Sequence, residues 1–300
     1  MPAVSAPAIH KWKIGKFTVT RVLEFDTLVI PPGTMLKATA EDVKRHQWLA
    51  PIFATEAGEL LVHIQAFIID TGDLRIMVDP CVGNAKPRGG APPFHMLDNP
   101  FLDYLGQAGY PAESIDVVLC THLHLDHVGW NTSLENGKWV PTFPNAQYLF
   151  ARVEYEHTRD DSRLEAVSDE SFQDSVQPIV EAGQARLIEF DERICDGVSL
   201  EPTPGHTPGH CCIRLRSCGA EAVITGDMIH HAVQAADPEI VSTFCFDEDQ
   251  ARATRKAFLE RCADSGATVL GTHFANPTAV TIHRHGAGAY RFAAAFDRAD

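Results

Sequence analysis

"THLHLDHVGW", residues 121–130, crowds three histidines and an aspartate into one short stretch just after the apolar run "DVVLC" at 116–120. In an extended segment, side chains at i and i+2 point the same way, so His122 and His124 leaving that strand can grip one ion together. Asp126 and His127 follow where the chain must turn, and from the turn they can face a second ion. Imidazole nitrogen and carboxylate oxygen at about 2.0–2.2 Å are the usual zinc ligands. A lone histidine, such as His10, His46 or His157, is ordinarily a satisfied polar residue. Four metal-competent side chains within six residues are a different case, because without a cation they are a costly set of polar groups to gather.

Four residues do not close two metal sites, so further His or Asp is required at the ends of later strands. "TPGHTPGH" at 203–210 places His206 in a Pro/Gly-rich turn, "VITGDM" at 223–228 ends a strand in Asp227, and "VLGTHF" at 269–274 ends another in His273. Each lies just past a β-branched run, where a sheet presents side chains at its rim.

Short β-branched runs recur along the chain: "FTVTRVLEF" (17–25), "LVHIQAFIID" (61–70), "LRIMVD" (74–79), "AQYLF" (146–150), "ARLIEF" (185–190), "CCIRLR" (211–216), "EAVITGD" (221–227) and "ATVLGTH" (267–273). "IIDTGDLRIMVD" reads as a hairpin turning at Thr71-Gly72-Asp73. Helical patterns lie between: "AEDVKRHQWLA" after Thr39, "PFLDYLGQAG" at 100–109, an acidic stretch at 153–183, and 247–266 with Asp247 as N-cap and Gly266 at the stop. This order predicts an α+β chain in which two mixed sheets face each other with helices outside. No linker or composition break divides it, so one domain is expected over 1–300, with residues 1–60 an extension available as a lid or dimer contact. The Pro/Gly-rich "CVGNAKPRGGAPPFH" at 81–95 reads as a long functional loop.

The chain has 300 residues, 45% of them hydrophobic, and a formal net charge of −15, which argues against nucleic acid as a partner. Neither a secretory leader pattern nor a run of about 18 apolar residues is present, so no membrane association and a cytoplasmic location are the expectation. The eight cysteines show no CxxC spacing and read as reduced, with Cys218 the exposed thiol.

The order HxHxDH, Gly-His turn, strand-ending Asp and strand-ending His resembles the metallo-β-lactamase superfamily, from about residue 60 onward. That resemblance implies an αββα sandwich in which His122, His124 and His206 hold one divalent ion, Asp126, His127 and His273 a second, and Asp227 bridges both. Zinc is the expected metal, with Mn, Fe or Co also compatible. Asp79 matches the family's early aspartate that orients the ligand loop, and His210 a position holding a ligand from outside.

Hydrolysis is the reaction class implied, with a metal-bridging hydroxide as nucleophile and Asp126 and Asp227 orienting it. "THLHLDHVGWN", "TPGHTPGHCCIRL" and "GDMIHHAVQAADPEI" are similar to the lactonase and methyl parathion hydrolase group. Where acyl-homoserine lactonases carry a tyrosine three residues after the bridging Asp, this chain has His230, which is expected to donate to the substrate oxygen or line the pocket. Phe94, Trp130, His231 and Phe274 are the other expected pocket residues. The resulting expectation is a homodimeric lactonase or aryl esterase acting on small molecules. Phosphotriester hydrolysis is the first alternative. A glyoxalase-II-like thioesterase is the second, weakened because only Arg284 and Arg291 supply positive charge near the C-terminus. A metal-binding module without turnover is a reading of another class, against which the full set of seven ligands counts.

Overall fold

The computed structural model describes residues 9–160 and 166–295. Among the described residues nine strands precede residue 190: β1 (His10–Ile14), β2 (Phe17–Ile30), β3 (Leu60–Asp70), β4 (Arg75–Val78), β5 (Val117–Leu119), β6 (Thr132–Glu135), β7 (Lys138–Pro141), β8 (Gln147–Ala151) and β9 (Ala185–Ile188). Seven form one sheet in the order β1-β2-β3-β4-β5-β8-β9, while β6 and β7 make a separate two-stranded ribbon. Seven later strands, β10 (Arg193–Cys195), β11 (Val198–Pro202), β12 (Cys211–Ser217), β13 (Ala220–Ile224), β14 (Thr268–Leu270), β15 (Ala279–Arg284) and β16 (Tyr290–Ala294), form the second sheet in sequence order.

Both sheets are mixed. In the first, β3 and β4 are antiparallel, whereas β4, β5, β8 and β9 run parallel. In the second, only β13 and β14 are parallel. A parallel pair needs a crossover, and helices occur in each: Phe101–Gln107 between β4 and β5, Leu125–Val128 between β5 and β8, Arg152–Asp160, Ala166–Ser175 and Gln177–Glu181 between β8 and β9, and Glu248–Cys262 between β13 and β14. The strand β3 is buried almost continuously along its length, as an interior strand should be. Edge strands alternate instead: in β1, Trp12 and Ile14 point inward between exposed lysines.

Contacts resolve two compact units, one comprising 9–24 and 64–189 of the described residues, the other 25–63 and 190–295. Each is built from two stretches of chain. Residues 10–30, expected as an extension, are instead the first two strands of the first sheet.

The acidic stretch at 153–183 holds three helices, broken at Val176 and ending at Glu181, with residues 161–165 lying outside the described residues. The expected helix after Thr39 is shorter than its pattern: Thr39 forms a capping box with Asp42, but the α-helix covers only Ala40–Lys44 and a 3₁₀ turn, Gln47–Leu49, follows. Asp247 caps the last helix by accepting from the Gln250 amide, as expected. That helix ends at Cys262 rather than near Gly266, because Ala263 is extended and Asp264 turns left-handed at φ 57°. Cys218 is exposed and no disulfide joins the cysteines.

Candidate metal centre

In the first unit, β5 ends at Leu119 and the chain leaves the sheet through Cys120 and Thr121 to the histidine-rich stretch. His124 stands at the N-cap of a single helical turn, Leu125–Val128, which carries Asp126 and His127. The His122 ring lies 4.5 Å from that of His124 and 4.1 Å from that of His127, centroid to centroid. Such close imidazoles repel one another when protonated and gain when they share a cation, so this donor set fits a metal ion.

Asp79 organises this half. It directly follows β4, the parallel neighbour of β5, so the two chain segments leave their strands side by side. One Asp79 oxygen accepts from the Thr121 amide at 2.7 Å, and the other accepts from the Thr121 hydroxyl at 2.8 Å and lies 3.0 Å from His127 Nδ1. Holding Nδ1 turns Nε2 of His127 outward as the available donor. The loop pays in backbone strain: Asp79, Cys81 and Ala85 adopt φ of 50°, 42° and 60°.

Glu24, at the end of the first unit's leading segment, was not anticipated. Its carboxylate accepts from the amides of Val82 and Gly83 and from the Trp130 indole N–H at 2.6 Å. It thereby ties the strained loop to the residues just after the ligand turn. Burial, foremost, and the nearby Asp126 charge push its carboxyl up to about 7 against the pull of these hydrogen bonds. Its partners lie 58 to 106 positions away, so no local pattern announced it.

The second unit repeats the device. Asp227 follows β13 and His273 follows β14, again a parallel pair. Asp227 is 5% exposed and surrounded by imidazoles: His273 Nε2 is 3.1 Å from Oδ1, and His230 Nε2 and His206 Nε2 are 3.2 and 3.5 Å from Oδ2. The Nδ1 of His273 lies 3.0 Å from the His63 carbonyl, which fixes it as the protonated nitrogen and leaves Nε2 as the donor to an ion. His206 follows Gly205, whose φ of 131° and close approach to the helix Glu248–Cys262 leave no room for a side chain. His210 accepts the Asp227 amide at Nε2, 2.9 Å away, so its proton sits on Nδ1 and points to the Thr203 hydroxyl at 2.8 Å. His210 therefore holds the backbone of Asp227.

The expected pocket residues fare differently. Trp130 is 4% exposed, stacked on Phe101 at 5.4 Å with its N–H given to Glu24, so it packs the interior of its unit rather than lining a rim. Phe274 is 1% exposed and packs 5.0 Å from Phe292 in the second unit's core. His231 spends both ring nitrogens inside that core, Nε2 on the Phe53 carbonyl and Nδ1 on the Val233 amide, and burial lowers its pKa to about 4. All three are packed inside their own unit, through contacts that sequence alone did not reveal. Phe94 is half-buried in the 3₁₀ turn Pro92–Phe94.

A family model described as "Metallo-beta-lactamase superfamily" matches residues 61–273. The chain belongs to this superfamily. Among its relatives are an N-acyl homoserine lactonase of Bacillus sp, 27% identical over 165 residues, and one of Bacillus cereus, 30% identical over 106 residues. The matched stretches cover 51% and 35% of this chain, and 58% and 35% of those proteins, so the chain spans between a third and three-fifths of these two relatives. Among solved structures, "hydrolase AbOPH in beta lactamase superfamily" is similar with a TM-score of 0.80 at 24% identity, over 96% of this chain and 98% of that one. AidC, a dizinc quorum-quenching lactonase, gives 0.78 at 20% identity over 96% and 97%. These likenesses show the metallo-β-lactamase fold. They also reach well beyond the span of the family model, which begins within β3, and so include strands that precede it.

Proposed function

We propose that this protein is a metal-dependent hydrolase that opens lactones or cleaves aryl esters. One observation carries the reading: His and Asp donors of the kind that bind divalent ions in water-activating sites cluster just past β5 in one unit and just past the parallel pair β13 and β14 in the other. In this reading His122, His124 and His206 would serve one ion and Asp126, His127 and His273 the other, with Asp227 available to both. Support comes from the donors that each unit gathers by itself: His122, His124, Asp126 and His127 around one short turn in the first, and His206, Asp227 and His273 together in the second. Zinc is the proposed metal, a choice supported by the dizinc state named for AidC.

Ions bound there would supply an activated water and polarise the substrate oxygen. The chain's own residues do the rest. Thr203 and His210 fix the Asp227 backbone. His230, with Nε2 3.2 Å from Asp227, offers an N–H to the charge that builds on the substrate oxygen. Asp126, more exposed than Asp227, would take the proton of the attacking water on a carboxylate oxygen and pass it to the leaving oxygen. A cytoplasmic homodimer completes the proposal; no helix of the described residues is long and apolar enough to cross a membrane.

The test is a set of initial rates on metal-quantified enzyme with dihydrocoumarin, an N-acyl homoserine lactone and methyl paraoxon side by side. Preference for either lactone supports the reading. Preference for methyl paraoxon moves the assignment to phosphotriester hydrolysis, and inactivity on all three removes the hydrolase reading in this form.

A further inference from the structure

In the second unit, Arg45, His46, Gln47 and Trp48 join His285 and Arg291 around an open cleft of about 510 Å³. Four of these six side chains carry or can take positive charge, in a chain whose net charge is −15. Arg45 is already neutralised by Asp42 at 2.6 Å. Arg291 has no carboxylate partner among the described residues, and its guanidinium carbon stands 5.8 Å from the centre of the Trp48 ring. His46 Nε2 and the Trp48 indole nitrogen are both shielded from solvent and lack a hydrogen-bond partner among the described residues. Burial holds the His46 imidazole below its usual range; Asp237 opposes that shift, and Arg45 and His285 reinforce it.

The cleft thus lacks one negative charge and one acceptor. A guanidinium fork matches a carboxylate, and an indole face takes a flat apolar ring. A single unpaired guanidinium suits a monoanion better than a phosphate, which gathers several cations. We propose that this cleft is a binding site for a planar aromatic carboxylate, its carboxylate on Arg291 and its ring against Trp48. Nothing in the metal centre is shared with it: no His or Asp of the two donor sets lines the cleft.

Isothermal titration of the metal-loaded protein with benzoate tests this. The expected result is saturable one-to-one binding, weakened about tenfold by Arg291→Gln through loss of a charge-assisted pair and about threefold by Trp48→Phe. Lys256→Gln, which removes an exposed ammonium paired with Glu239 on another surface, leaves benzoate affinity unchanged. Four results would overturn the proposal: no saturable benzoate binding, inorganic phosphate bound as tightly as benzoate, Arg291→Gln binding like the parent protein, or Lys256→Gln weakening it as much. The third would place the acid elsewhere, the metal centre included. Arg291 and Trp48 are probed separately, so a folding defect in one variant leaves the other as a readout.

Discussion

His210 takes the Asp227 amide at one ring nitrogen and reaches Thr203 from the other, which sets both its tautomer and the position of the carboxylate beyond it. Replacing it with alanine leaves that amide without its buried partner, and groups in this position are worth about 10- to 100-fold in affinity or turnover. His210→Ala should therefore lower kcat/KM by that amount, with metal content read in parallel by plasma emission. His230→Ala separates binding from chemistry: two metals per chain should remain while kcat falls by roughly 100-fold, and loss of the metals would show that His230 is a ligand instead. At this scale the sequence was informative wherever spacing is local. His122, His124, Asp126 and His127 declare themselves within six residues, and Asp79 by ending a strand. Glu24 did not, because its three donors come from two distant segments, and neither did the burial of Trp130, since the Phe101 ring it stacks on lies in another element.

Among the elements, the long loop at 81–95 is fastened by a buried ionic cluster. Arg88 makes two hydrogen bonds to Asp174, 2.7 and 2.8 Å, and Lys86 reaches Thr132 at 2.9 Å with its ammonium 3.7 Å from the Trp139 ring. Asp174→Ala would strand two buried cations, a change that costs about 3–5 kcal/mol, measurable as a lower urea midpoint at unchanged slope. Gly129 joins the ligand turn to the same region: its amide donates to the Cys81 carbonyl, and an added Cβ would lie 1.7 Å from the Val82 carbonyl oxygen. His231 gives its unit a pH window. The unfolded chain takes up this proton below about 6.5 and the folded one only near 4, so stability is complete above 6.5 and falls as pH drops toward 4. The full loss approaches about 3 kcal/mol, and His231→Gln should flatten that part of the stability–pH curve. Strands with continuous β-branched runs were legible from sequence. Those missed, among them β1, β6, β7, β10 and β16, are short or alternate with charge, so they are defined by pairing rather than by composition.

For the whole molecule, the two sheets were legible from the order of strands and helices, but the division into two units was not, because each unit draws on two separated stretches of chain. Residues 10–30 are sheet: β1 and β2 pair antiparallel, with Trp12 opposite Val19 and Ile14 opposite Phe17, all four buried. Deleting residues 1–30 should therefore abolish cooperative thermal unfolding; a truncated chain that still melts in one sharp transition would contradict this placement. In the first unit the histidine-rich turn follows β5, and in the second Asp227 and His273 follow the parallel pair β13 and β14, whereas His206 follows the antiparallel β11. The turn from β3 to β4 runs through Gly72, which has no neighbouring atom within 4 Å of where a side chain would begin. That turn lies at the start of β4, opposite the end that leads into Asp79. An inserted peptide tag or fluorescent reporter at Gly72 would ride on the first sheet without touching the ligand loops, giving a handle for immobilising the protein with its chemistry facing outward.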